Sequence, residues 1–274
     1  MEAHAQPVRA EVSEWSHFVH VTRALTATEF KLRYFGSVLG YLWTVLRPLM
    51  LFGVLYVVFT HVVRFGDEVA HYPVVLLAGI VVFNFFSEAT GGGLTSLVAR
   101  ENLLRKVAFP RAAVPISVSL TAAANLALGI LVVFGFALID GVTPTAGWIG
   151  FLACVVLAMA LATSLSVLLS VLYVRYRDAQ PIWEVMLQLL FWGTPIIYTI
   201  ESVPDGFREA LMFNPLAVAI QQGRHWLVES STMSAADAIG SAALLLVPLA
   251  IFGLVVVLSA VLFRREAPRI AEDL

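Results

Sequence analysis

Residues 31–50 read KLRYFGSVLGYLWTVLRPLM. The stretch opens on two cations, Lys31 and Arg33, and within a dozen residues becomes apolar enough to enter a bilayer. A short way into the apolar run stand Arg47 and Pro48, a cation followed by a residue with no backbone N–H to give. The segment reads as the passage of the chain from a water-facing surface into a membrane. Lys31 and Arg33 sit at the inner headgroups, and Gly36 and Gly40 let the chain turn. Tyr41 and Trp43 mark the interface, where amphipathic rings concentrate.

Composition supports that reading over the whole chain. Of 274 residues, 59% are hydrophobic and 13% charged, against ~25% charged in soluble domains. A soluble fold of this size has too little interior for so much apolar surface. The single cysteine, Cys154, excludes a disulfide framework within one chain. The polar, mixed-charge N-terminus lacks the pattern of a cleaved signal peptide.

A helix needs roughly 20 apolar residues to cross the hydrocarbon core. Six segments qualify, at about 42–63, 72–94, 112–139, 148–174, 182–200 and 240–263. The fold expected is an all-α integral membrane protein in three parts: an N-terminal region 1–41, a six-helix domain 42–263 and a tail 264–274. The cations set its orientation, because loops on the cytoplasmic side are enriched in Lys and Arg. Arg9, Arg23, Lys31, Arg33 and Arg47 belong to one side, with Arg100, Arg105, Lys106, Arg111, Arg175, Arg177, Arg264, Arg265 and Arg269. The other side holds only Arg64, Arg208 and Arg224, together with eight acids: Asp67, Glu68, Asp140, Glu201, Asp205, Glu209, Glu229 and Asp237. Both termini are therefore expected in the cytoplasm.

Two segments outside the spans carry helical patterns. Trp15, Phe18, Val19, Thr22 and Leu25 recur at helical spacing, and Thr26 to Glu29, TATE, fits a capping box that would start a new helix. Either an amphipathic helix lies along the inner leaflet here, or an ordinary membrane-proximal helix does. Between the fifth and sixth spans, 205–213 and 215–228 form two short helical patterns split by Asn214-Pro215, with Asn214 as a cap. They are too short to span. They either dip back toward the membrane as re-entrant helices or lie on the outer surface.

The span centres hold few ionisable groups. Glu88, Glu184 and Arg47 are expected toward cytoplasmic ends, with neutral Asn84, Asn125 and Gln188 deeper. Carriers driven by ion flow commonly mark their path with buried acids or histidines, so an ion-driven carrier is disfavoured. No GxxxxGK[ST] loop occurs, and GGG at 91–93 reads as close packing or a helix end. No catalytic dyad or metal-ligand spacing is present. The chain is expected to bind no cofactor and no nucleic acid, and its energy to enter from another chain. RENLLRKVAFPRAAVP, residues 100–115, offers that chain a docking site. Leu103, Leu104 and Val107 would form an apolar face flanked by Arg105 and Lys106; the alternative is a basic loop that merely obeys the orientation rule. In the fifth span Trp183, Leu187, Phe191, Pro195 and Tyr198 fall at steps of three or four, one face of a helix that Pro195 would kink. That face could line a sugar pathway, or serve helix packing or an interfacial belt.

Five segments together resemble the membrane permeases of ABC-type exporters of lipid-linked polysaccharides, O antigens, teichoic acids and cell-wall glycans. They are KLRYFGSVLGYLWTVLRPL at the entry to the first span, ENLLRKVAFPRAAVP, YVRYRD at 173–178, LLFWGTPIIYTIESVP, and FNPLAVAIQQGRHWL. The resemblance implies a homodimer with two copies of a separate ATPase that holds ATP and Mg. It implies that Arg100, Glu101, Leu103, Leu104, Arg105, Lys106 and Arg111 belong to a coupling helix that docks this ATPase, with Arg177 and Asp178 in a cytoplasmic turn beside it. It implies a channel at the dimer interface lined by aromatics of the fifth span, for which Trp183, Phe191, Trp192 and Tyr198 are the candidates. The substrate would be a glycan on a polyprenyl diphosphate, and the membrane a bacterial cytoplasmic (inner) one. Two positions depart from the family pattern: Arg47 stands where asparagine is common, and Phe35 where a second arginine is common. Arg47 either snorkels to the surface or, with Lys31 and Arg33, meets the diphosphate at a lateral entrance. The remaining alternatives are an exporter of a drug or a lipid, and a membrane-embedded enzyme of lipid-linked glycan assembly.

Overall fold

A computed structural model describes residues 14–34, 40–62, 69–106, 109–228 and 232–267. Among them the fold is helical, with no strand. The helices are α1 (Glu14–Tyr34), α2 (Gly40–Val57), α3 (Tyr72–Ala99), α4 (Glu101–Lys106), α5 (Ala113–Ile139), α6 (Gly147–Arg175), α7 (Ala179–Gly193), α8 (Asp205–Met212), α9 (Pro215–Val228), α10 (Ala235–Ala238) and α11 (Leu246–Glu266). Five stretches are long and apolar enough to cross a membrane: Leu42–Val62, Tyr72–Ala99, Ala113–Ile139, Gly147–Arg175 and Ala242–Glu266. The protein is thus a multi-pass membrane protein.

The expected fifth span, 182–200, is not one long helix. α7 ends at Gly193, and Thr194 is extended (φ −106°, ψ 136°). Pro195 explains the stop: a residue before proline is pushed out of the α region. Hydropathy runs on through Ile196, Ile197 and Ile200, so composition alone gives no sign of the break. Pro195 and Tyr198 therefore lie beyond the helix and do not extend the face of Trp183, Leu187 and Phe191.

α3 forms the centre. It is buried along 78% of its apolar stretch, against 6% for the α2 span and 11% for the last. α5 and α6 pack along α3, and α9 packs against α6 and α3. The GGG run serves that packing, for Gly93 sits so close to Ser166 of α6 that a Cβ would strike its hydroxyl. At the far end of α3, His71 Nδ1 meets Asp140 Oδ2 at 2.7 Å, tying the start of α3 to the end of α5. α8 and α9 fall close to where they were expected, and Asn214 caps α9 by accepting from the Leu216 N–H at 3.0 Å.

The TATE segment does not start a helix. α1 runs straight through it. Thr26 and Thr28 instead donate back one turn to the carbonyls of Thr22 and Ala24, both at 2.8 Å, the alternative hydrogen bond open to mid-helix threonines. Continuing a helix adds a bond per residue, whereas starting one bears the nucleation cost again. Nor is α1 only a surface helix: it packs on α5, and Leu25 joins a cluster around Leu97, Leu104, Val114, Val171 and Phe263.

Candidate functional site: a polar cavity among three helices

Three helices line an open cavity of about 560 Å³. α2 contributes Trp43, Thr44, Arg47 and Pro48; α3 contributes Val81, Asn84, Phe85, Ser87, Glu88 and Gly92; α5 contributes Asn125, Leu126 and Gly129. Each set is one stripe of its helix, with residues three or four apart sharing a face. The volume falls within the range of about 300–1,000 Å³ common to small-molecule sites.

Its polar groups are not scattered. The Asn125 amide donates to Glu88 Oε1 at 2.9 Å, joining α3 to α5 across the cavity wall. Arg47 is exposed, and among the described residues it holds no ion pair within 4 Å. α2 continues through Pro48. The proline removes an N–H that would bond one turn back without ending the helix. Glu88 also lies deeper than expected. α3 extends to Ala99 rather than stopping near 94, which places Glu88 about 17 Å from that end at 1.5 Å per residue.

Other candidates fall elsewhere. Lys31 is exposed on α1 and does not line the cavity. The side chain of Arg33, the hinge residue Gly36, and Phe35 and Val107 lie outside the described residues, as does the side chain of Tyr41. In the docking segment Leu104 is buried in the protein's own core while Leu103 is 37% exposed, so the two leucines do not share an outward apolar face. Arg105 and Lys106 are exposed, and Arg105 pairs with Glu101 at 2.9 Å. Arg100 pairs with Glu29 of α1 and donates to Ser117 Oγ of α5 at 3.3 Å. Burial lowers its pKa from the ordinary arginine value. Arg111 is half-buried. In the turn before α7, the Arg177 guanidinium lies 5.0 Å from the Tyr173 ring centre, and exposed Asp178 precedes the helix.

The α7 aromatics divide. Trp183 and Phe191 turn toward α3: the Trp183 indole donates to Thr90 Oγ1 at 3.1 Å, and Phe191 meets Phe83 edge-on. Trp192 faces outward at 63% exposure, and the Tyr198 hydroxyl donates to its carbonyl at 3.0 Å.

One polar centre escaped the sequence reading. Arg224, counted there as a loop cation, is buried on α9 at 1% exposure. Its guanidinium donates to the carbonyls of Pro195 and Ile196, and the Tyr72 hydroxyl donates to that of Ile197 at 2.7 Å. Gly79 leaves the space this guanidinium fills, since a Cβ there would collide with it. The local signals were the apolar stretches at 215–220 and 226–228 on either side of Gln221–His225, which a loop does not need.

The profile of the ABC-2 type transporter family matches residues 20–228, and the chain belongs to that family. Among its relatives, the O-antigen export system permease protein RfbA of Myxococcus xanthus is 32% identical over 195 residues, covering 70% of this chain and 74% of that protein. An O-antigen export system permease protein RfbA of Klebsiella pneumoniae is 29% identical over 201 residues, covering 73% and 77%. The polysialic acid transport protein KpsM of Escherichia coli is 24% identical over 208 residues, covering 73% and 78%.

Proposed function

We propose that this chain is the transmembrane subunit of an exporter that moves a polyprenyl-diphosphate-linked polysaccharide across the bacterial inner membrane. It works as a homodimer with two copies of an ATPase subunit, which hydrolyses the ATP. Family membership and relatives named for O-antigen and polysialic acid export support the cargo class. In this reading α7 and the residues after it make the sixth crossing, α8 and α9 are re-entrant, and both termini are cytoplasmic. The excess of cations on the α1 and α4 side supports that orientation. α4 and the turn at Arg177 and Asp178 face the ATPase.

The observation that carries the reading is the placement of Arg47 on the wall of a cavity large enough for a ligand. A guanidinium fork suits a phosphate, and an arginine inside a span marks a functional position by default. Arg47→Gln is expected to reduce export at least about tenfold, ~1.4 kcal/mol of lost stabilisation. Surface polysaccharide is to be measured in cells whose own copy is deleted, with co-purification of the ATPase as the control for assembly. Unchanged export would leave Arg47 a snorkelling residue. Activity of the isolated chain on a lipid-linked glycan, with no ATPase bound, would replace the export reading with the enzymatic one.

A further inference from the structure

We propose that the cavity among α2, α3 and α5 holds the sugar-diphosphate end of the cargo, with Arg47 on the phosphates and the Glu88–Asn125 pair on hydroxyls of the first sugar. The inference rests on the export reading and adds to it which residues recognise the glycan rather than the carrier.

The helices order these groups by depth. Arg47 lies seven residues into α2, about 10 Å from the end where α1 and α4 lie. Glu88 stands eleven residues from the corresponding end of α3, and Asn125 twelve from that of α5, about 17 and 18 Å in. A cation thus stands nearer the α1 and α4 end, and a carboxylate–amide pair stands about one to two helical turns farther from it. A glycan on a lipid diphosphate resting in the inner leaflet has the reverse order, with its sugar on the aqueous side of the phosphates. The arrangement therefore fits cargo engaged for transport, its phosphates held near headgroup level and its first sugar turned inward past them.

The chemistry of the deeper pair points to a polyol. A carboxylate has about four acceptor sites, and a carboxamide both donates and accepts. Adjacent hydroxyls of a pyranose are donors and acceptors in the same alternation. Asn84 and Ser87 bring further polar groups to the wall, and Trp43 and Phe85 bring aromatic rings on which the C–H faces of a sugar pack. A pair serving only to join α3 to α5 has no need of a carboxylate, since two amides would make the same bond without an ionisable group inside the membrane. A bulk phospholipid could match Arg47 through its phosphate, but it offers no ring of hydroxyls to Glu88 and Asn125.

The test uses the full-length protein in lipid nanodiscs, with bound lipid quantified by native mass spectrometry. The probes are undecaprenyl diphosphate, the same lipid carrying N-acetylglucosamine or galactose, and phosphatidylglycerol. The wild type is expected to bind the better sugar-bearing probe about tenfold more tightly than undecaprenyl diphosphate, the size of one or two hydrogen bonds. Glu88→Gln and Asn125→Leu are expected to reduce that preference to about twofold or less. Their midpoint of thermal unfolding in detergent serves as the check that they are folded. Arg47→Gln is expected to weaken all the diphosphate probes alike. A preference kept intact in both Glu88→Gln and Asn125→Leu, or absent from the wild type, overturns the sugar assignment and leaves the export reading standing. Diphosphate binding untouched by Arg47→Gln, or phosphatidylglycerol binding as tightly as the diphosphate lipids, overturns the phosphate assignment and removes the support that Arg47 lends to the export reading.

Discussion

Arg224 shows how one residue makes a broken helix tolerable. When α7 ends at Gly193, the carbonyls that follow lose helical partners in surroundings that supply no water. Arg224 donates to two of them and Tyr72 to a third. An unsatisfied buried carbonyl costs about 1–3 kcal/mol, so these contacts offset much of the break that Pro195 imposes. The role was illegible in sequence because it depends on a contact across 29 residues between α9 and the turn that follows α7. Arg224→Met is expected to destabilise the protein by about 2–5 kcal/mol, two carbonyls left without donors, and to lower the midpoint of thermal unfolding in detergent. Arg224→Lys, with one ammonium in place of the fork, should lose less. Wild-type melting of Arg224→Met would mean that the carbonyls find other donors.

At the scale of elements, Glu29, Arg100 and Ser117 join α1, the α3–α4 junction and α5 at one point. Any push delivered to α4 therefore reaches α1 as well as α3. A charge reversal at either ionic partner should weaken the joint, and the exchange Glu29→Arg with Arg100→Glu should restore part of it. A coupling of about 0.5–3 kcal/mol is expected in a double-mutant cycle on thermal stability. Additive losses would show that the two residues act apart. Four of the six spans, and α8 and α9, were legible to within a few residues, because long apolar runs and an Asn-Pro cap are local signals; α3 alone ran some five residues past its expected end. TATE misled because threonines, weak helix formers though they are, are carried in mid-helix once the turn before them is already helical, their hydroxyls bonding back one turn. The cavity was legible only in pieces. Arg47, Glu88 and Asn125 each stood out as polar groups in apolar runs, but their meeting depends on which helices pack together, and hydropathy does not encode that.

At the scale of the whole molecule, the outward faces of α7 and α11 differ in a way that assigns them different neighbours. The exposed side of α7 mixes Ile182, Val185, Leu189 and Trp192 with Glu184 and Gln188. The exposed side of α11 includes Leu246, Leu249, Leu254 and Val257 and meets charge only at its Arg264–Arg265 end. Hydrocarbon accepts the second face and penalises the first, since polar groups within a membrane face protein or a watery path. α7 is therefore expected to face the second copy of the chain or a pathway between the copies, and α11 to face lipid. Cys154 is the only cysteine and is buried, so new thiols can be read against a quiet background. With Gln188→Cys, a flexible bis-maleimide applied to native membranes should give a cross-linked dimer. Leu254→Cys, on a face that is also exposed, should remain a monomer under the same treatment. Dimers from Leu254→Cys and none from Gln188→Cys would move the interface to α11 and leave the polar stripe of α7 to be covered by another chain.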